Sequence, residues 1–223
     1  MKDIMMKRWA ILFFVALACS GIGNTVLAAD FQVGAEHAIV VEADSGRVLY
    51  EKDAKTPDAI ASLTKLVTVY LVLDKVKSGQ LHLSDQVNLS DYALELTTDS
   101  SLSNVAFDEK SYSVQDLLTA TLVASSNSAA IALAEQVAGS EPNFVTQMRD
   151  QLSRWGIDSA KIFNASGLPN EVLKDHRYPG SALEEENALS AQDVAVVVLH
   201  LLEDFPEVLD ITKQAEVAFA GTI

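Results

Sequence analysis

The chain has 223 residues, of which 49% are hydrophobic, enough for the buried core of one or two domains and unlike a disordered chain. Its 16 basic and 31 acidic residues give a net charge of −15, which argues against nucleic acid and anionic lipid as partners. The four histidines are scattered without the spacing of metal ligands, so we predict neither a metal site nor a cofactor.

The N-terminus has the layout of a secretory signal peptide. A basic start is followed by an apolar run too short to span a bilayer, and then by small residues suited to cleavage. These parts are Lys2, Lys7 and Arg8, then residues 9–18, then residues 26–29. The only cysteine, Cys19, falls in this segment, so the mature chain has neither a disulfide, a cysteine-zinc site nor a catalytic thiol. We predict a signal peptide over residues 1–29 and a domain over residues 30–223.

The first mature elements are predicted to be a β-hairpin and an apolar helix. Residues 37–43 and 47–52 are rich in β-forming residues and flank the turn residues 44–46. After a polar loop, a helix begins near Ser62 and stops at Gly79. It is apolar nearly all round, which indicates a helix in the middle of a domain.

Further along, the pattern predicts two more strands and four more helices. The strands are expected at residues 86–89 and 213–223, and the helices at residues 113–123, 128–137, 142–155 and 190–205. The first two of these helices are joined by a tight polar turn that carries Ser125-x-Asn127, the only Ser-x-Asn of the chain. Residues 170–187 are expected to be a long irregular segment.

Ser62 and Lys65 form the only Ser-x-x-Lys pair of the chain. Residues three apart share a face of a helix, so Ser62 Oγ and Lys65 Nζ are expected to meet as a nucleophile and the base that takes its proton. Free backbone N–H groups at the helix start would also favour negative charge developing near Ser62. By itself the pair is weak evidence, because chance supplies about one such pair at this composition.

The two pairs belong to a known set: Ser-x-x-Lys, Ser-Asp-Asn and Lys-Thr-Gly mark penicillin-binding proteins and class A β-lactamases. With the sequence around them, the chain resembles the D-alanyl-D-alanine carboxypeptidases, which are low-molecular-mass penicillin-binding proteins. The resemblance runs along most of the mature chain. Its blocks are the opening hairpin, Ala61-Ser62-Leu63-Thr64-Lys65, residues 124–130, residues 164–168 and the entry into the last helix at residues 186–191.

The resemblance implies a role for each site residue. Ser62 attacks the carbonyl of the terminal D-Ala-D-Ala peptide bond, and Lys65, with its pKa lowered by burial, deprotonates Ser62. Ser125 relays a proton to the leaving D-alanine, and Asn127 holds the amide carbonyl of the substrate and helps to fix Lys65. The backbone N–H of Ser62 forms half of the oxyanion hole. Residues 166–167 are interpreted as a structural turn.

The third motif, Lys-Thr-Gly, does not occur in the 223 residues, and Lys55-Thr56-Pro57 lies in the loop before the nucleophile. In the family that motif lies on a later strand, which supplies the second oxyanion N–H and recognises the substrate carboxylate. We therefore expect an N-terminal fragment, truncated at the C-terminus and deficient in turnover as it stands. The C-terminal domain and the amphipathic membrane anchor of the family are expected to be absent with it. A short, non-catalytic product is the alternative.

The resemblance implies an extracytoplasmic enzyme, associated with the cell wall or membrane, whose partners are peptidoglycan stem peptides ending in D-Ala-D-Ala and β-lactam antibiotics. A β-lactamase of the same fold is the second hypothesis. Class A enzymes use a Glu for deacylation, but no Glu-x-x-Leu-Asn follows Asn127, and position 126 is Ser rather than Asp. A binding or scaffold protein that kept the fold without activity is the third.

For architecture we predict an α/β (α+β) domain of the β-lactamase/transpeptidase-like fold, with a mainly helical subdomain. One antiparallel sheet, containing the hairpin and the final strand, would be covered by helices, with the Ser62 helix central. Because strands are expected to be missing from this sheet, the last strand and part of the Ser62 helix should be exposed.

Overall fold

The computed structural model describes residues 33–99, 101–102 and 105–217. The chain divides into two units after Gly34, and every element given below belongs to the second, Ala35–Ile223. The predicted signal peptide, residues 1–29, lies outside the described residues.

The described residues form eight α-helices and six short strands. The helices are α1 (Thr64–Lys77), α2 (Asp91–Glu95), α3 (Val114–Val123), α4 (Asn127–Ala138), α5 (Glu141–Arg154), α6 (Asn170–Leu173), α7 (Ala191–Asp204) and α8 (Val208–Thr212). The strands are β1 (Ala38–Val41), β2 (Val48–Lys52), β3 (Asp58–Ala59), β4 (Gln86–Asn88), β5 (Ser111–Ser113) and β6 (Ala188–Leu189). None of these helices is both long and apolar enough to cross a bilayer.

In the described part of the chain, the strands pair as three separate two-stranded antiparallel sheets: β1 with β2, β3 with β6, and β4 with β5. The hairpin and the strand at residues 86–89 are confirmed. The prediction of one sheet containing both the hairpin and the final strand is wrong for the described residues. Residues 213–217 form no strand, and residues 218–223 lie outside the described range. The reason is local, because the N–H groups of Lys213 and Gln214 bond to the carbonyls of Leu209 and Ile211 in α8.

The core lies around α4 and α1. Residues 128–134 of α4 are all buried, and several are alanines, which let α1, α3 and α5 pack closely against this helix. In α1, residues 67–73 are buried on every side of the helix. This confirms the prediction of a helix inside the domain, and burying these side chains supplies the main favourable term for folding.

The four longer helices after α1 begin at serine caps. The hydroxyl of each cap accepts a backbone N–H from the third residue along, which satisfies one of the free donors at a helix start. The caps are Ser113, Ser126, Ser140 and Ser190. All four helices are confirmed to within one residue at either end. The short helices α2, α6 and α8 were not predicted, because four or five residues do not show a helical period.

An open apolar groove of about 810 Å³ lies beside the hairpin, between the residues that precede α1 and one face of α7. Leu63, next to Ser62, lines it and is 50% exposed. This exposure belongs to the turn that leads into α1, whereas most of α1 itself is buried.

Candidate active site

Ser62 lies at the surface, in a short 3₁₀ turn, Ala61–Leu63, that leads into α1. The turn is sharp because Ala61 has a φ of +44°, in the left-handed region that residues with a Cβ rarely adopt. The N–H of Thr64 bonds back to the carbonyl oxygens of Ala61 and Ser62. Ser62 is thus presented to solvent at the entry to a buried helix.

Lys65 is the buried counterpart of Ser62, at 3% exposure. Its Nζ lies 3.0 Å from Ser62 Oγ, 2.7 Å from Asn127 Oδ1 and 2.7 Å from the carbonyl oxygen of Ser166. The three oxygens match the three N–H donors of an ammonium group. The expected meeting of Ser62 and Lys65 side chains is confirmed.

The environment of Lys65 also fixes the direction of its lone pair. Burial lowers the pKa of Lys65 from 10.5 to about 8. A neutral amine keeps two N–H bonds and gains one lone pair. The oxygens of Asn127 and Ser166 are carbonyl oxygens, which accept and never donate, so they take the two N–H bonds. The lone pair then faces Ser62 Oγ, which donates its proton toward Nζ.

Asn127 is the first residue of α4 and contacts two parts of the site. Its Oδ1 accepts from Lys65, and its Nδ2 donates to the carbonyl oxygen of Leu102. Because the Leu102 oxygen can only accept, these two contacts settle which end of the amide faces Lys65. Nδ2 carries a second N–H, the donor type that a substrate carbonyl needs.

Ser125 lies in the turn between α3 and α4, two residues before Asn127, with a φ of +54°. Such a conformation costs about 1 kcal/mol or more for a residue with a side chain. Among the contacts of the described residues, no hydrogen bond joins Ser125 to Ser62 or Lys65. The structure therefore brings Ser62, Lys65 and Asn127 into one hydrogen-bonded group and leaves Ser125 beside it.

The 164–167 turn is part of this group, which the sequence did not indicate. Asn164 Oδ1 accepts the backbone N–H groups of Ser166 and Gly167, at 3.1 and 2.6 Å. The turn thereby directs the Ser166 carbonyl toward Lys65. Asn187 ties the turn to the rest of the fold, since its Nδ2 donates to the carbonyl of Asn164 at 2.9 Å.

Gly167 brings the turn against the backbone that precedes Ser62. Its φ is +86°, and a Cβ at this position would lie 1.9 Å from the carbonyl oxygen of Ala61. A side chain therefore does not fit unless the turn or Ala61 moves. Gly167 sets how closely the turn approaches the candidate nucleophile.

Glu141, the first residue of α5, is a buried carboxylic acid on the far side of the turn, at 6% exposure. Its Oε1 accepts the N–H of Ala165 at 2.9 Å. Burial raises the pKa of Glu141 from 4.5 to about 7, and the charge of Glu135 adds to the rise. No sequence motif indicated a role for this residue.

Within the described residues, one group of potential metal ligands comes together away from Ser62. Ligand atoms of Glu36, His37 and Asp58 lie within 4.8 Å of one another. His37 Nδ1 is within hydrogen-bond distance of the carbonyl oxygen of Asp53, at 2.9 Å, and both acids are exposed. These contacts describe a surface cluster of charges, and nothing in them points to a bound ion.

Replacing Gly167 with alanine is expected to destabilise the protein far more than the same change at Gly180. The two glycines have similar φ angles, +86° and +84°, but a Cβ at Gly180 meets nothing within 4 Å. G180A should cost about 1 kcal/mol from the backbone alone, and G167A several times as much because the Cβ overlaps Ala61. Urea unfolding measures both values, and equal costs would contradict the close approach.

Glu141→Gln is expected to raise stability more at pH 8 than at pH 5. The pKa of Glu141 is about 7 in the folded protein and 4.5 in the unfolded chain. The folded state therefore holds the proton more tightly, and this stabilisation, complete below about pH 4.5, is lost as the pH rises through about 7. Glutamine does not ionise, so E141Q should gain up to about 3 kcal/mol relative to wild type across this range. Urea unfolding at each pH tests this, with exposed Glu171→Gln as control; a pH-independent difference would contradict it.

Comparison with known sequences shows a family match over almost the whole chain. Residues 24–223 match the family described as D-alanyl-D-alanine carboxypeptidase, peptidase family S11. The curated relatives include DacA of Haemophilus influenzae, 27% identical over 96% of this chain and 53% of its own length. DacF of Bacillus subtilis is 29% identical over 76% of this chain and 39% of its own length. The chain thus spans about half the length of the curated relatives it matches.

Solved structures agree with this match. A peptidoglycan synthesis regulatory factor, PBP3 of Streptococcus pneumoniae, is 53% identical with a TM-score of 0.85, covering 86% of this chain and 52% of its own. Penicillin-binding protein D2 of Listeria monocytogenes, solved in an ampicillin-bound form, is 26% identical with a TM-score of 0.70, covering 87% of this chain and 72% of its own. On the family match and this likeness, the chain belongs to the D-alanyl-D-alanine carboxypeptidase family and has the β-lactamase/transpeptidase-like α+β fold of penicillin-binding proteins.

Proposed function

We propose that this protein is a serine-type D-Ala-D-Ala carboxypeptidase that removes the terminal D-alanine from peptidoglycan stem peptides through an acyl-enzyme on Ser62. The observation that carries the proposal is the environment of Lys65. Two oxygens that only accept are bonded to Lys65 Nζ, and the third contact of Nζ is Ser62 Oγ. Membership of the carboxypeptidase family supports the substrate class.

In the proposed mechanism, neutral Lys65 takes the proton of Ser62 as Ser62 Oγ bonds to the carbonyl carbon of the D-Ala-D-Ala peptide bond. The backbone N–H of Ser62 stabilises the oxyanion, and Asn127 Nδ2 donates to the amide carbonyl of the substrate. The C–N bond then breaks, and Lys65 returns its proton to the leaving D-alanine amine by way of Ser125. Water hydrolyses the ester, which restores Ser62 and releases the shortened peptide.

We extend the proposal to β-lactams and to location. Penicillin-binding protein D2 of Listeria monocytogenes was solved in ampicillin-bound and cefotaxime-bound forms, and a β-lactam would acylate the same Ser62 here. Residues 1–29 would act as a signal peptide and deliver the domain that begins at residue 30 outside the cytoplasmic membrane.

Fluorescent penicillin is expected to label the 223-residue chain covalently and to be released slowly. Labelling needs only the acylation step, for which Ser62 and Lys65 are in contact. S62A should remain unlabelled, whereas exposed Ser153→Ala should label like wild type. Gel fluorescence and the mass of the peptide carrying Ser62 measure the outcome. Rapid hydrolysis of the penicillin would indicate a β-lactamase instead, and absence of label on folded protein would contradict acylation at Ser62.

The rate of this acylation is expected to rise with pH. The base must be neutral, and with a pKa of about 8 only about a tenth of Lys65 is neutral at pH 7. The rate should therefore increase about tenfold per pH unit below about pH 7 and level off above about pH 9. Lys65→Arg, which stays protonated, should lose the rise together with most of the rate. Stopped-flow labelling from pH 5.5 to 9.5 measures the profile; a flat profile in wild type would exclude Lys65 as the base.

A further inference from the structure

Glu141 is a buried acid whose side chain is not needed to cap its own helix, α5. The start of α5 is already capped by Ser140, whose hydroxyl accepts the N–H of Asn143. Glu141 instead extends away from α5, and its Oε1 accepts the N–H of Ala165. A buried carboxyl group is costly to keep, because it loses its hydration and gains little from neutral neighbours. The cost of burying this side chain therefore indicates that Glu141 has a function outside α5.

The residue that Glu141 binds is one step along the chain from the residue that binds Lys65. The carbonyl oxygen of Ala165 accepts from Thr68 Oγ1 at 2.7 Å, and that of Ser166 accepts from Lys65 Nζ at 2.7 Å. Thr68 and Lys65 both belong to α1. The turn therefore lies between α1 and α5, bonded to α1 through its carbonyl groups and to α5 through the N–H of Ala165.

The other bonds of the turn do not replace this contact. Asn164 Oδ1 binds the N–H groups of residues 166 and 167 within the turn and so sets its internal shape. Asn187 Oδ1 accepts from the N–H of Phe163, the residue before the turn. Among the described contacts, Glu141 is the group that holds the N–H of Ala165, two peptide units before the Ser166 carbonyl.

We propose that Glu141 is a positioning residue for acylation: by accepting the Ala165 N–H, it holds the Ser166 carbonyl oxygen where Lys65 donates to it. The enzymatic part of this inference rests on the proposed function. If the Ser166 carbonyl drifts, one of the two acceptors that direct the N–H bonds of neutral Lys65 is lost. The lone pair then no longer points consistently at Ser62, and water gains access to Nζ.

Glu141 acts through this hydrogen bond rather than through its charge. The charged and titratable groups facing it are Glu135 from α4 and Tyr92 from α2, and the shift in the pKa of Lys65 comes from burial alone. A glutamine at position 141 keeps an oxygen that accepts the Ala165 N–H, whereas a leucine leaves this buried donor unpaired.

The test compares E141Q, E141L and the helix-cap variant S140A in the full 223-residue chain. Two readouts are used: the rate of acylation by fluorescent penicillin, and the NMR titration of the Lys65 side chain, assigned from the signal missing in Lys65→Arg. E141L should label about tenfold more slowly or worse, because small misplacements of a reacting group are costly. Its Lys65 should titrate about one pH unit higher, as water reaches Nζ. E141Q should stay within about twofold of wild type in rate, with an unchanged titration.

S140A separates positioning from general loss of stability. It weakens the start of α5 by about 1 kcal/mol without touching the Ala165 contact, so both readouts should stay at wild-type values. If E141L does not fold, E141D replaces it. Its carboxylate is one methylene short of Ala165, and slower labelling with a raised Lys65 titration is expected.

The proposal is overturned if folded E141L, or E141D in its place, keeps the wild-type rate and titration, or if E141Q is as impaired as E141L. If wild type takes no label at all, the proposed function fails. In that case the Lys65 titration in the variants still decides whether Glu141 positions this site.

Discussion

The structure depends on one buried amine. Lys65 lies inside the domain with its Nζ surrounded by the oxygens of Ser62, Asn127 and Ser166. These three oxygens come from the start of α1, the start of α4 and the 164–167 turn, so the amine connects segments that are distant in sequence. An amine at this depth is tolerable only if each of its donors has a partner. The positions of α1, α4 and the turn are therefore constrained together.

Two of the four described non-glycine residues with a positive φ angle lie beside the same amine. Ala61, next to Ser62, and Ser125, two residues before Asn127, both have positive φ angles although both carry a Cβ. Gly167 provides the room that Ala61 needs, because a Cβ there would overlap the Ala61 carbonyl. Strained residues persist where the surrounding packing determines their conformation, and such sites are often functional. Here the rigid supports are α1 and α4, which are buried over most of their length.

The part of the site that could be predicted from sequence is the part that helical spacing and side-chain chemistry determine. Three residues along a helix place Lys65 next to Ser62, and the capping residues Ser113 and Ser190 indicated the starts of α3 and α7. The contribution of Ser166 could not be predicted, because its carbonyl oxygen is a backbone group that every residue carries. The role of Glu141 could not be predicted either, because its partner, the N–H of Ala165, is also a backbone group that the sequence does not distinguish.

Some elements of the fold could be predicted from the sequence and others could not, for a related reason. The hairpin and the longer helices follow from period and turn chemistry within a single segment. The pairing of β3 with β6 joins residues 58–59 to residues 188–189, and strands of two residues carry no periodic pattern. At residues 213–217 the alternation of apolar and polar side chains predicted a strand, but bonds from Lys213 and Gln214 to the end of α8 prevail. Long-range pairings are decided by partners that a local pattern does not contain, and a helix as short as α8 shows no period that would reveal it.

Although the chain is acidic, the groups that contact Lys65 are all uncharged. The chain has 31 acidic residues, yet none of the described ones forms a salt bridge with Lys65, whose three contacts are a hydroxyl and two carbonyl oxygens. A carboxylate in place of the Asn127 amide would stabilise the ammonium form and hold the proton on Lys65. With neutral acceptors, burial acts unopposed and brings the pKa of Lys65 down to about 8. Keeping acids away from one amine, in a chain where they outnumber bases about two to one, is therefore what leaves Lys65 able to act as a base.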